Sequence, residues 1–156
     1  MTRLEIAFLG AFQVSKEGEL VTGFETAPAR ALLVYLVLHP GTPFDREVLA
    51  DLLWQDLPRA RALHALRQTL TRLRRAIEGR ETDPPFLEVT RQTIQFNPDS
   101  DYWLDTDAFT NLVGTMHGHP HRRLGACEPC MQRLTQAADL YRGDLLAGFH
   151  IDSLPF

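Results

Sequence analysis

The sequence predicts a mixed α/β fold of the α+β kind, with strands first, then three helices, a hairpin and a helical remainder. Three observations carry this. The first 25 residues alternate apolar and polar positions, and residues 26–78 hold three segments with apolar positions three and four apart. The segment "FLEVTRQTIQF" then alternates again before the chain turns helical.

Leu4, Ile6 and Phe8 fall on one face of the opening strand. Phe12 and Val14 follow before the turn "SKEGE", and "LVTGF" completes a small antiparallel sheet. Thr26 followed by Pro28 marks a helix start, because proline's fixed φ suits the first turn, where its missing N–H has no partner to lose. The run "ARALLVYLVL" carries that helix to the "HPG" at 39–41. Asp45 caps a second helix, "REVLADLLW", with Val48, Leu49, Leu52 and Leu53 on one apolar face. After the linker "QDLP" comes the third, "RARALHALRQTLTRLRRAI". Its Leu63, Leu66, Leu70, Leu73 and Ile77 form one stripe; Arg61, His64, Gln68, Thr71, Arg72 and Arg75 cluster opposite, and Arg67 and Arg74 flank the stripe. The next hairpin sets Leu87 and Val89 opposite Ile94 and Phe96 and turns near Arg91 and Gln92, without the glycine such turns favour. "NPDSDYWLD" reads as a polar boundary. Beyond it "TDAFTNLVGTM" and "EPCMQRLTQAADLYRGDLLAGF" read as helices broken at "HGHPH", the second keeping Met131, Leu134, Ala138 and Tyr141 or Leu145 at helical spacing. Two helices here look like an unfinished helical-hairpin array.

Three helices followed by a hairpin form a winged helix-turn-helix, whose third helix enters the major groove of double-stranded DNA while the wing reaches the backbone or minor groove. Charge supports this. The net charge of −4 would repel nucleic acid on average, but residues 59–80 carry seven arginines against Glu78 alone, a local +6. Of the 16 basic residues 15 are arginines, the side chain that forks onto phosphate and guanine. Arg61 to Arg75 spans about 21 Å of helical rise, more than the roughly 12 Å width of a major groove, so only part of the face reads bases. Arg61, His64 and Gln68 are expected on bases, and Arg72 and Arg75 on phosphates. Arg67, Thr71 and, at the wing tip, Arg91 complete the expected DNA-binding set.

Other classes are disfavoured. The longest apolar run is 8 residues, against the roughly 20 a bilayer needs, and the N-terminus lacks a signal-peptide core, so no membrane contact and a cytoplasmic location are expected. No nucleophile, base and orienting group share a recognisable motif, and no "GxxxxGK[ST]" is present, so no enzyme is expected. Two cysteines do not make a disulfide scaffold. His117, His119, His121, Cys127 and Cys130 nevertheless lie within 14 residues. Thiolate and imidazole are zinc ligands, and C-x2-C lets two sulfurs grip one ion. An inert surface loop and a redox pair are the competing readings, the redox one weakened by the missing βαβ context. The expectation is no metal and no cofactor, with zinc on these five residues as the alternative.

The blocks "RALLVYLVLHPGTPFDREVLADLLWQDLP", "ALRQTLTRLRRAI" and "TRQTIQFNPDSDYWLDTDAF", in this order, resemble the Streptomyces antibiotic regulatory protein type of transcriptional activator, and "LYRGDLLAGF" resembles the start of its bacterial transcriptional activator domain. The resemblance implies an OmpR-type winged helix with an N-terminal antiparallel sheet, then a tetratricopeptide-like helical domain. It also implies binding to direct repeats in promoters as a head-to-tail homodimer, and contact with RNA polymerase. His64 departs from the family pattern before "LRQ", so base preference does not transfer. The helical domain is shorter than the family's, so the chain is expected to be the N-terminal part of a larger regulator.

Two domains are therefore expected: residues 1–98 for DNA and residues 99–156, with a net charge of −4, for interaction or regulation. The alternative is a protein-interaction or oligomerisation module whose basic helix merely packs.

Overall fold

The computed structural model describes residues 3–22, 26–79, 82–120 and 123–147, apart from the side chain of Leu124. The described residues form two compact units that are not contiguous in sequence: residues 16–102 pack together with residues 3–4, and residues 5–15 pack with 103–147.

In the first unit, helix α1 (Ala27–Leu38) starts after Thr26 with Pro28 in its first turn. Ala29, Ala31, Leu32, Leu33, Val34, Leu36 and Val37 are all buried. A helix apolar on nearly every side belongs in the middle of its unit. Helix α2 (Arg46–Leu53) follows Asp45, whose side chain makes no capping hydrogen bond. Helix α3 (Arg59–Ile77) packs against α1 and α2, and α1 also packs on strand β6. Three strands complete the unit: β4 (Phe44–Asp45), β5 (Leu87–Val89) and β6 (Thr93–Phe96), antiparallel in the order β4-β6-β5. Leu87 stands opposite Phe96 and Val89 opposite Ile94, the predicted register. This is a winged helix, with β5 and β6 as the wing. The two-residue β4, which sequence reading missed, adds a third strand to it by pairing Phe44 with Ile94 and Asp45 with Thr93.

One expectation on α2 fails. Val48 was placed on the apolar face beside Leu49, yet it is 51% exposed while Leu49 is buried. A helix of 8 residues turns only a narrow stripe inward, and Val48 falls on the side open toward the wing.

In the second unit, β1 (Leu4–Ala7) lies between β2 (Gln13–Lys16) and β7 (Tyr102–Leu104). A short strand β3 (Glu19–Leu20), which is counted with the first unit, follows β2 through Glu17 and Gly18, both at positive φ, as a tight hairpin turn requires. Helices α4 (Asp105–Gly118) and α5 (Glu128–Leu140) pack on each other, and a 3-10 turn at Leu124–Ala126 precedes α5.

Two expectations for this part are corrected, and the polar boundary gains a strand. The polar boundary "NPDSDYWLD" contains strand β7, and the next residue, Asp105, is a buried carboxylate that accepts the backbone N–H groups of Phe8 and Leu9, each at 2.9 Å. Its polar letters hid a strand whose partner is about 100 positions away. Helix α5 ends at Leu140, well short of the expected run, because the chain beyond it pairs with residues 8–10. Gly10 donates to Asp144, Arg142 to Leu9 and Leu146 to Phe8, and Leu9 bridges Leu145. Gly10 sits at φ +114° with Arg142 against it, where a Cβ would lie 3.1 Å from the Arg142 Cβ. Finally, the apolar stripe of α5 faces outward. Met131 and Leu134 are each 38% exposed, whereas the small residues Cys130 and Ala137 are buried. Small side chains let two helix backbones approach closely, and that approach fixes the inward face of α5.

Candidate nucleic-acid interface

Helix α3 presents two chemically opposite faces. Ala62, Leu66, Thr69, Leu70, Leu73 and Ile77 are buried, and Leu63 is half-buried. Burying each leucine contributes roughly 1.5–3 kcal/mol, which fixes the rotation of the helix. That rotation leaves Arg61, His64, Arg67, Gln68, Thr71, Arg72 and Arg75 exposed, so seven of the eight expected DNA-binding residues share one surface of one helix. The eighth, Arg91, is exposed in the wing turn.

Not every arginine of the helix is available. Arg59 lies 3.9 Å from both Glu47 and Asp51 of α2, in loose exposed pairs. Arg74 donates to Glu78 Oε2 at 3.2 Å, while Glu78 Oε1 accepts the Leu87 N–H at 2.8 Å. That carboxylate ties the end of α3 to the start of the wing. Arg61, Arg67, Arg72 and Arg75 make no ion pair among the described residues. The Thr71 hydroxyl donates to the Arg67 carbonyl at 2.9 Å, so it meets a partner only as an acceptor.

The wing is held by contacts that sequence reading did not find. Thr90 replaces the missing turn glycine: its hydroxyl oxygen accepts the N–H groups of Thr93 at 2.9 Å and Gln92 at 3.2 Å, and its own N–H donates to the Thr93 carbonyl. A threonine followed closely by polar residues is a detectable signal for such a turn. Arg46, at the start of α2, forks onto the Thr90 carbonyl through Nε at 3.2 Å and Nη2 at 2.8 Å, and its backbone N–H donates to Gln92. Nothing local marks Arg46, because its partner is 44 positions away. Between α2, α3 and the wing lies an open cleft of about 460 Å³ lined by Val48, Leu63, Arg67, Arg91 and Gln92, with Asp45, Arg46 and Glu47 at its α2 side. Arg67 and Arg91 thus line one cleft with an apolar floor, Val48 and Leu63.

The histidine and cysteine cluster lies in the second unit. His119 follows the end of α4, Cys127 precedes α5 and Cys130 sits in its first turn. Their ligand atoms lie within 4.8 Å of one another. Burial raises the Cys130 thiol above its ordinary pKa, the neighbouring Cys127 adds to the rise, and Arg133, whose Nη1 lies 3.7 Å from the sulfur, works against it. His117 is exposed on the last turn of α4 and is not part of the group, and His121 lies outside the described residues. Among the described residues, no helix is long and apolar enough to cross a membrane.

Comparison with known proteins agrees with this geometry. Residues 25–93, spanning α1 to the start of β6, match the family described as transcriptional regulatory protein, C terminal. Regulatory protein DnrI of Streptomyces peucetius is 30% identical over 155 residues, covering 94% of this chain and 55% of that protein. A solved structure of Mycobacterium tuberculosis EmbR, in complex with a low-affinity phosphopeptide, superposes with a TM-score of 0.72 at 25% identity, over 94% of this chain and 38% of that one. The chain therefore spans about half the length of the curated relative it matches.

Proposed function

We propose that this chain, whose residues 25–93 match the transcriptional regulatory protein, C-terminal family, is the DNA-binding part of a transcriptional activator that reads the major groove with α3. The observation that carries the reading is the outward face of α3, where four arginines that make no ion pair among the described residues stand with His64 and Gln68 beside a braced wing. Arg61, His64 and Gln68, in the first half of the helix, meet base edges; Arg72 and Arg75 meet phosphates as the helix leaves the groove. Arg67 and Arg91, lining the same cleft, take the backbone where helix and wing straddle one strand. A regulator of this type binds direct repeats as a homodimer, contacts RNA polymerase and works in the cytoplasm, and it needs no cofactor for these steps.

The work divides near residue 98, with DNA contact before it and interaction or regulation after it. Residues 5–15 pack with 103–147, so a chain cut after Asp99 loses the β1 partner and the Asp105 carboxylate without losing any residue of α3. Such a cut is expected to lower stability and retain duplex binding.

The test is selection from random duplexes with the full chain, followed by titration at several salt concentrations. The expected result is an enriched repeated motif, with an affinity that falls steeply with salt. A second reading, a protein-interaction module without specific DNA binding, draws on the outward Met131 and Leu134 of α5. A folded chain that enriches no motif and shows no salt-dependent binding would establish that reading in place of the first.

A further inference from the structure

DNA reading by α3 gives no task to the one place where two cysteines and a histidine converge. We propose that His119, Cys127 and Cys130 bind a zinc ion that fastens the end of α4 to the start of α5. Zinc holds thiolate sulfur at about 2.3 Å and imidazole nitrogen at about 2.0–2.1 Å in a tetrahedron, which places a sulfur and a nitrogen ligand about 3.6 Å apart. The Nδ1 atom of His119 lies 3.3 Å from the Cys127 sulfur and 3.5 Å from the Cys130 sulfur. Both nitrogen–sulfur spacings are therefore close to the edges of a zinc tetrahedron, and all three ligand atoms lie within 4.8 Å of one another.

The backbone explains the convergence. C-x2-C across the first turn of α5 sets both sulfurs on one side of the helix start, and the end of α4 brings in His119 from 8 positions before Cys127. Charge balances as well. Each thiol releases its proton to solvent on ligation, and two thiolates neutralise the dication, so no net charge is buried with Cys130. The Arg133 guanidinium within 3.7 Å of the Cys130 sulfur supplies the outer hydrogen bond that metal thiolates commonly accept. Three protein ligands suffice to retain zinc, the fourth position going to water or a further donor. By closing the loop between the helices, the ion stiffens their hairpin, and zinc supply then sets how firmly α5 is held.

The competing use of the same atoms is a Cys127–Cys130 disulfide, and one experiment separates the two. The full chain, purified under reducing conditions, is loaded with zinc, desalted, and assayed for metal by plasma mass spectrometry and for thiols by titration, with cobalt substitution as a spectroscopic probe. The expected result is about one zinc per chain, a thiolate-to-cobalt charge-transfer band, and a melting transition raised by zinc and lowered again by a chelator. Cys127→Ser, at a half-buried position, and His119→Ala should each weaken zinc binding roughly tenfold or more while circular dichroism shows a folded chain. Cys130 is buried, so its substitution is avoided. Negligible zinc in the wild type, unchanged zinc in both variants, or spontaneous loss of both thiols in air with zinc present would overturn the proposal. None of these readouts involves DNA, so the proposal stands or falls separately from the function of α3.

Discussion

Helices α3 and α5 are both amphipathic, and they divide their residues by opposite rules. In α3 the large aliphatic residues Leu66, Leu70, Leu73 and Ile77 are inside and arginines are outside. In α5 the inside residues are the small Cys130 and Ala137, and the larger Met131 and Leu134 face out. A helix that must grip a core uses bulk, because burial free energy grows with apolar area. A helix that must lie close along another uses small residues, whose gain is proximity and whose burial contributes less. Apolar spacing alone therefore identifies a helix without identifying its inward face.

The comparison predicts a graded series of effects. Leu66→Ala should cost about 2–5 kcal/mol in denaturant unfolding, through lost burial and a cavity; wild-type stability would mean that the α3 stripe does not grip the core. Next, Ala137→Leu should destabilise by about 1–3 kcal/mol, because extra methylenes at a close helix contact force the backbones apart. A stabilising outcome there would reverse the assignment of the two faces of α5. Arg72→Ala and Arg75→Ala should leave the melting temperature nearly unchanged and reduce the slope of log affinity against log salt by about one each, whereas Arg61→Ala and Gln68→Ala should cost roughly 1–3 kcal/mol on the preferred sequence and less on others. Equal loss of specificity from all four would show that the helix face is not divided between bases and phosphates. The smallest effect is expected at Met131→Ser, within about 0.5 kcal/mol, as at most exposed positions. A loss several times larger would place Met131 in a core.

What the sequence made legible follows the range of the interactions involved. The limits of α3, its two faces and the wing register all come from local period, and a 19-residue helix repeats its pattern often enough to be read. Strand β4, with two residues, has no period, and β7 is covered by polar neighbours. The roles of Arg46 and Asp105 depend on partners 44 and 97 positions away, which no window of spacing contains. At the candidate interface, each exposed side chain of α3 was nameable from the helical period, and Arg91 from its place in the hairpin turn. The brace beneath the wing was not, because it is made by a carbonyl acceptor that any residue type could supply. The zinc-type trio was legible as a cluster of five, but helix geometry decided that His119 joins the cysteines and His117 does not.

The buried Asp105 carboxylate has a consequence for how the chain is made. Phe8 and Leu9 leave the ribosome 97 and 96 positions ahead of the side chain that satisfies their N–H groups. At a synthesis rate of about 5–20 residues per second, the opening strand waits on the order of 5–20 seconds for that partner. During this interval its apolar Leu4, Ile6 and Phe8 are exposed to other nascent chains, while the elements between Thr26 and Phe96 can already pack. Strand β1 is thus completed long after it is translated, and its docking should follow the packing of the elements between Thr26 and Phe96.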